Sequence, residues 1–218
     1  MNFYHLVILD ASGSMCCIRQ QALSGCNETI QSIQALQRQQ PDEHHFLSLV
    51  TFDSVNPNNV LFDKMPIEQA ELLKEEDYEP NACTPLYDCI GMTCTHLKAT
   101  APKKEQNNFI VTIITDGLEN SSREYNAKKI KMLIDELKPQ GWTFALIGAN
   151  IDEVLEGDKI GIHNSMAFAQ TDEGTQKMFN EMNKCRVAFC MNVVESPMSF
   201  NERDTAFFKK RPKPTKRK

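Results

Sequence analysis

The chain has 218 residues, 41% of them hydrophobic, with 24 basic and 29 acidic residues and a formal net charge of −5. That length suits one α/β domain with a single sizeable core, and no stretch approaches the roughly 20 consecutive apolar residues that cross a membrane. Seven of the basic residues fall in the last ten, 209–218, leaving 17 basic against 29 acidic residues elsewhere. Such a body argues against nucleic-acid binding except through the basic end.

In chain order, residues 3–9 form an apolar run rich in β-formers that stops at Asp10-Ala11-Ser12-Gly13-Ser14. The spacing of Ile18, Leu23, Ile30, Ile33 and Leu36 predicts a helix from 17 to about 39. Residues 45–52 read as a strand, 60–62 as a short edge strand, 66–73 as a short helix and 85–97 as a buried helix. Residues 109–115 are a second buried strand, ending at Asp116-Gly117. A helix over 122–137 follows, then a strand over 143–149, a short strand over 166–168 and a last helix from 172 to about 187. From about Pro197 the periodicity fades. The division predicted is a domain over 1–195 and a basic, disordered tail over 196–218, since seven charges and two prolines in ten residues cannot bury enough apolar surface to fold. Repeated β-then-α order predicts a doubly wound α/β fold, with a mostly parallel central sheet covered by helices on both faces.

Asp10, Ser12 and Ser14 offer a carboxylate and two hydroxyls at alternate positions after a strand. Hard oxygens of this kind suit a hard divalent cation, although Ser14 alone would also serve as an ordinary helix N-cap. If both buried strands are parallel and central, their carboxyl ends share one edge of the sheet. Asp116 then joins the first set, and Thr84, at the junction of a loop and the helix that Pro85 opens, adds a third hydroxyl. The sequence offers no base or nucleophile beside these oxygens, which favours holding a ligand over turning one over. Neither dinucleotide-binding nor P-loop glycine pattern occurs. Position 12 is serine, where an aspartate-nucleophile phosphatase wants a second carboxylate. His44 and His45 open a strand and are expected to be solvated; His96 and His163 are not tied to the motif.

Asp10-x-Ser12-x-Ser14, Thr84 and Asp116, with Thr84-Pro85-Leu86-Tyr87-Asp88 and Thr115-Asp116-Gly117, resemble the metal-ion-dependent adhesion site of von Willebrand factor type A (vWA) domains. The resemblance covers about residues 1–195; Cys83 stands where many intracellular members have glycine. It implies a Rossmann-like fold and a non-enzymatic, metal-dependent protein-binding module. Mg²⁺ is the implied ion, with Mn²⁺ as the alternative. The hydroxyls would be the direct ligands and the aspartates would hold waters, while a partner's carboxylate completes the coordination. Intracellular members often work beside AAA+ ATPases, in complex assembly or stress response, and the expected partner is of that kind. The competing class is a metal-dependent phosphate-processing enzyme.

Eight cysteines, with no C-x-x-C pair and no export signal, fit reduced thiols and a cytoplasmic protein. Cys89, Cys94 and Cys190 are expected to act as small hydrophobes. Cys16, Cys17 and Cys83 are expected to point into the core; the alternative places at least one at the rim of the ion site.

Overall fold

The computed structural model describes residues 1–102, 107–149, 157–196 and 198–208. Its strands are β1 (Asn2–Asp10), β2 (His44–Phe52), β3 (Asn59–Pro66), β4 (Asn107–Thr115), β5 (Trp142–Gly148) and β6 (Asn164–Ala167). Its principal helices are α1 (Arg19–Gln39), α2 (Leu86–Thr100), α3 (Ala127–Leu137), α4 (Asp172–Glu195) and α5 (Phe200–Ala206). The strands make one sheet in the order β3-β2-β1-β4-β5-β6, parallel throughout except for β3. β1 and β4 are adjacent at the centre, which is why both read as unbroken apolar runs: a strand covered on both faces has no polar side to show.

Alternation along β1 sends Tyr4, Leu6 and Ile8 to one face, where α2 and α3 cover them, and Val7 and Leu9 to the other, under α1 and α4. Each fully buried aliphatic side chain in these layers contributes about 1.5–3 kcal/mol. The helices α1 and α4 approach so closely that a Cβ at Gly25 would lie 2.1 Å from the Phe179 ring, so only glycine fits. At the β2–β3 turn, Asp53 Oδ1 accepts from the N–H groups of Val55 (2.6 Å) and Asn56 (2.8 Å), reversing the chain into the antiparallel edge strand.

Three expectations change. Residues 66–73 are not a helix but a short 3-10 turn, Ile67–Gln69, followed by extended chain. Side chains of α1 take up that segment's backbone groups: Gln34 donates to the carbonyls of Ile67 and Ala70, and Asn27 both accepts from and donates to Leu73. Its hydrogen bonds being met from outside, the segment gains nothing by coiling. Second, α3 starts at Ala127, five residues after the expected start, because Asn126 caps it and the preceding loop is held by side chains from α2. Third, α4 runs to Glu195, beyond the expected end near 187, and a further helix, α5, follows, opened by a reciprocal Ser199–Glu202 capping box. Phe207 is buried against Phe189, and its N–H donates to Asn164 Oδ1 at 3.1 Å. The basic run 209–218 lies outside the described residues.

Under α1 and α4, His45 is buried rather than solvated. Its Nδ1 pairs with His5 Nε2 at 2.9 Å, and the fully buried Arg186 of α4 reaches His5 Nδ1 at 3.4 Å and Thr112 Oγ1 at 2.8 Å. The register that sets His5 opposite Leu47 puts His45 beside it on the same face. Among the described residues no helix is long and apolar enough to cross a membrane.

Candidate metal centre

Asp10 closes β1 at the carboxyl edge of the sheet and is fully buried. Its Oδ1 accepts from the Ser12 N–H at 2.7 Å and its Oδ2 from Thr115 Oγ1 at 2.5 Å, so the ends of β1 and β4 are tied through this carboxylate. Tyr78 donates its hydroxyl to the Asp10 carbonyl at 2.6 Å. A 3-10 turn, Gly13–Ile18, then carries Ser14 back over the site. Ser12 Oγ and Ser14 Oγ lie 3.2 Å apart, and Ser14 Oγ donates to Asp116 Oδ1 at 2.6 Å.

The loop before α2 supplies Thr84. Gly13 N–H donates to the Ala82 carbonyl (3.0 Å), docking this loop on the first one. Ala82 sits at φ 59°, a left-handed conformation unusual for a residue with a Cβ. Thr84 is clamped from both sides by Asn120: its N–H donates to Asn120 Oδ1 (2.9 Å) and its carbonyl accepts from the Asn120 N–H (3.2 Å). Gly117 lies between the hydroxyls; a Cβ there would stand 3.2 Å from Thr84 Oγ1 and 3.9 Å from Ser14 Oγ. The absent side chain leaves a cradle walled by hydroxyls. All five residues predicted from the sequence are thus at one edge of the sheet, around Gly117.

Among the described residues, neither carboxylate of the site has a positive partner. Burial, with the Asp116 charge adding to it, pushes the Asp10 carboxyl up to about 6, against the opposing bonds from Thr115 and Ser12. Burial likewise raises Asp116. Neither carboxylate forms an ion pair among the described residues. Arg19, next to the turn, is spent on the carbonyls of Tyr78 (2.8 Å) and Glu75. Two buried carboxylates with hydroxyl neighbours and no cationic partner among the described residues fit a small hard divalent ion. Among the described residues no group of three or more His, Cys, Asp or Glu side chains forms a softer metal site. His96 instead faces Asp63 at 3.0 Å.

The thiols divide. Burial pushes Cys26, Cys94 and Cys190 up to about 12 and raises Cys89 as well, so these are inert core groups. Cys16, Cys17 and Cys83 are exposed, contrary to the expectation that they point into the core. The 3-10 turn sets the first two outward: Cys16 Sγ donates to the Pro80 carbonyl and Cys17 Sγ to the Ser14 carbonyl, both at 3.3 Å.

Not every residue at the site was named as a ligand from the sequence. Thr115 and Gly117 flank Asp116 and were legible as its neighbours, and Asn120 follows three residues on. Gln170, in the β6–α4 loop, donates to Asp116 Oδ2; a lone polar residue in a polar loop carries no signal of that role.

No family model matches the chain, and no curated protein matches it by sequence. Solved structures do match in shape. A von Willebrand factor type A protein from Catenulispora acidiphila is 15% identical with a TM-score of 0.55, covering 84% of this chain and 42% of that one. The SpRpn10 VWA domain is 12% identical with a TM-score of 0.56, covering 82% of this chain and 94% of that one. Proximal thread matrix protein 1 from the mussel byssus, with a zinc-occupied MIDAS motif, is 13% identical with a TM-score of 0.55, covering 85% and 46%. The likeness is one of fold, and the fold is that of vWA domains. The chain spans less than half the length of the first and third of these proteins.

Proposed function

We propose that this chain is a metal-dependent protein-binding module whose divalent ion, Mg²⁺ or Mn²⁺, is held by Ser12, Ser14 and Thr84, with Asp10 and Asp116 acting through water. The observation that carries the reading is the meeting of two buried carboxylates and three hydroxyls at one edge of the sheet, with no basic side chain among the described residues paired to either carboxylate. A bound cation supplies local positive charge on an otherwise acidic body, so that an acidic side chain of a partner is attracted where it would otherwise be repelled.

The residues divide the work. Thr115 and the Ser12 N–H hold Asp10 rigid, and Asn120 fixes the backbone of Thr84, so the donors need little rearrangement on binding. Among the described residues no histidine, lysine or thiol is hydrogen-bonded to the Asp10 carboxylate to carry a proton. That supports holding a ligand over phosphate processing, as does the engagement of Arg19 elsewhere. The test is affinity capture with wild type and Asp10→Ala, in Mg²⁺ and in EDTA. A partner retained only by wild type in Mg²⁺ supports the reading; capture that persists in Asp10→Ala and in EDTA refutes it.

A further inference from the structure

The Gln170 amide is placed from a fixed base. Phe168 N–H donates to the Gly148 carbonyl (2.9 Å) and Thr171 N–H to the Ala169 carbonyl (2.8 Å), while Thr171 caps α4 by accepting from the Gly174 N–H at 3.1 Å. From there Nε2 reaches Asp116 Oδ2, the Ser14 carbonyl at 3.3 Å and Cys17 Sγ at 3.3 Å. Three acceptors surround a group that has two protons to give. The orientation of the amide follows from these neighbours, since its oxygen turned toward a carboxylate and a carbonyl would be repelled. With Ser14 Oγ on Oδ1, both oxygens of Asp116 are engaged, and a partly positive NH₂ sits where the negative charge is least compensated.

We propose that Gln170 is a built-in competitor at the metal site: its amide straps Asp116 to the turn that carries Ser14, and it must swing out before a cation and an external carboxylate engage there. This rests on the metal reading above. A cation approaching Asp116 repels the amide protons, so binding gives up all three contacts. An incoming acidic side chain has to enter past the same side chain. Gln170 itself is exposed, so displacing it costs no core packing. It therefore sets the affinity of the site without being one of its ligands, and it favours occupants that bring enough charge to expel a neutral amide.

The experiment measures Mn²⁺ affinity by titration calorimetry, and acetate binding to the Mn²⁺-loaded protein by water-proton relaxation. The forms compared are wild type, Gln170→Ala, Gln170→Glu and Asp10→Ala. Removing one hydrogen bond to a charged acceptor is expected to tighten Mn²⁺ about tenfold in Gln170→Ala, and acetate should displace bound water at lower concentration. Gln170→Glu should tighten Mn²⁺ further and exclude acetate, because it brings its own carboxylate to the mouth of the site. If wild type binds Mn²⁺, Asp10→Ala does not, and Gln170→Ala matches wild type for both ligands, the competitor role is overturned while the metal reading stands. If none of the forms binds Mn²⁺, both fall.

Discussion

Asp88 lies at the end of the Thr84–Asp88 motif yet touches none of the candidate ligands, and Asp88→Asn tests what it does. Its carboxylate is buried and accepts three backbone N–H groups: Arg123 on Oδ2 (2.7 Å), and Glu124 (2.9 Å) and Tyr125 (2.8 Å) on Oδ1. In return the loop caps α2, whose first N–H groups have no partner within the helix. Glu119 Oε2 accepts from Tyr87 N–H at 2.8 Å and Ser122 Oγ from Asp88 N–H at 3.0 Å. An asparagine there keeps one acceptor for Glu124 and Tyr125 but turns an NH₂ toward the Arg123 N–H, setting donor against donor. Two charge-assisted bonds become neutral ones, each about 1 kcal/mol weaker, and the third leaves a part-buried donor unmet at about 1–3 kcal/mol, for a total near 3–5 kcal/mol. Urea unfolding followed by the fluorescence of Trp142, the single tryptophan, measures that loss. The damage should also reach the proposed metal site, because Asn120 sits in the same loop and holds Thr84. Mn²⁺ affinity should fall several-fold although no ligand has changed. A stability loss under about 1 kcal/mol would show that this lock is not what holds the loop.

Gly117→Ala should leave stability within about 1 kcal/mol, since Gly117 is not at positive φ, but it places a methyl 3.2 Å from Thr84 Oγ1 and should sharply weaken Mn²⁺ binding in calorimetry. Ala82→Gly relieves the left-handed φ of 59° and should raise the melting temperature by about 2 °C, or roughly 0.5–1 kcal/mol, as read by differential scanning calorimetry. Acidification should destabilise the fold through the buried histidine pair. Burial, then the neighbouring His44 and the amino terminus, hold His45 at about 4 against an ordinary 6.5, and His5 is lowered too. The unfolded chain therefore takes up a proton that the folded chain refuses. Stability is complete above about pH 6.5 and falls as pH drops toward 4, by about 3 kcal/mol for His45 alone. Urea midpoints across that range should lose this slope in a His5→Leu/His45→Phe variant; an unchanged slope would assign it elsewhere.

The parts of the fold legible in the sequence were those where local pattern and tertiary role coincide. Residues 3–9 and 109–115 are apolar throughout because β1 and β4 are covered on both faces, and the carboxylates closing them had to share an edge once the strands were parallel neighbours. The segment 66–73 misled because its apolar spacing suits a helix while its backbone is satisfied by Gln34 and Asn27, more than thirty residues away in chain order. The pairing of His45 with His5 likewise depends on strand register, and a dipeptide of histidines does not encode which of them turns inward. Among the site residues, Asp10, Ser12, Ser14, Thr84 and Asp116 carry a spacing pattern. Gln170 carries none, since its role comes from where the β6–α4 loop passes and not from its neighbours in sequence.

The docking of α5 has a practical side. Arg203 donates to Asn108 Oδ1 at the start of β4, and Phe207 packs near Phe3 and Ile110, at the first residues of the central strands. The described chain therefore ends at the pole of the sheet opposite Asp10 and Asp116. A protein anchored to a sensor surface through a link placed after Phe208 would hold its Asp10–Asp116 edge outward, with the full length of β1, about 30 Å at 3.3 Å per residue, between the attachment point and the candidate metal site. Binding measured in that orientation reports on the carboxyl edge free of the support.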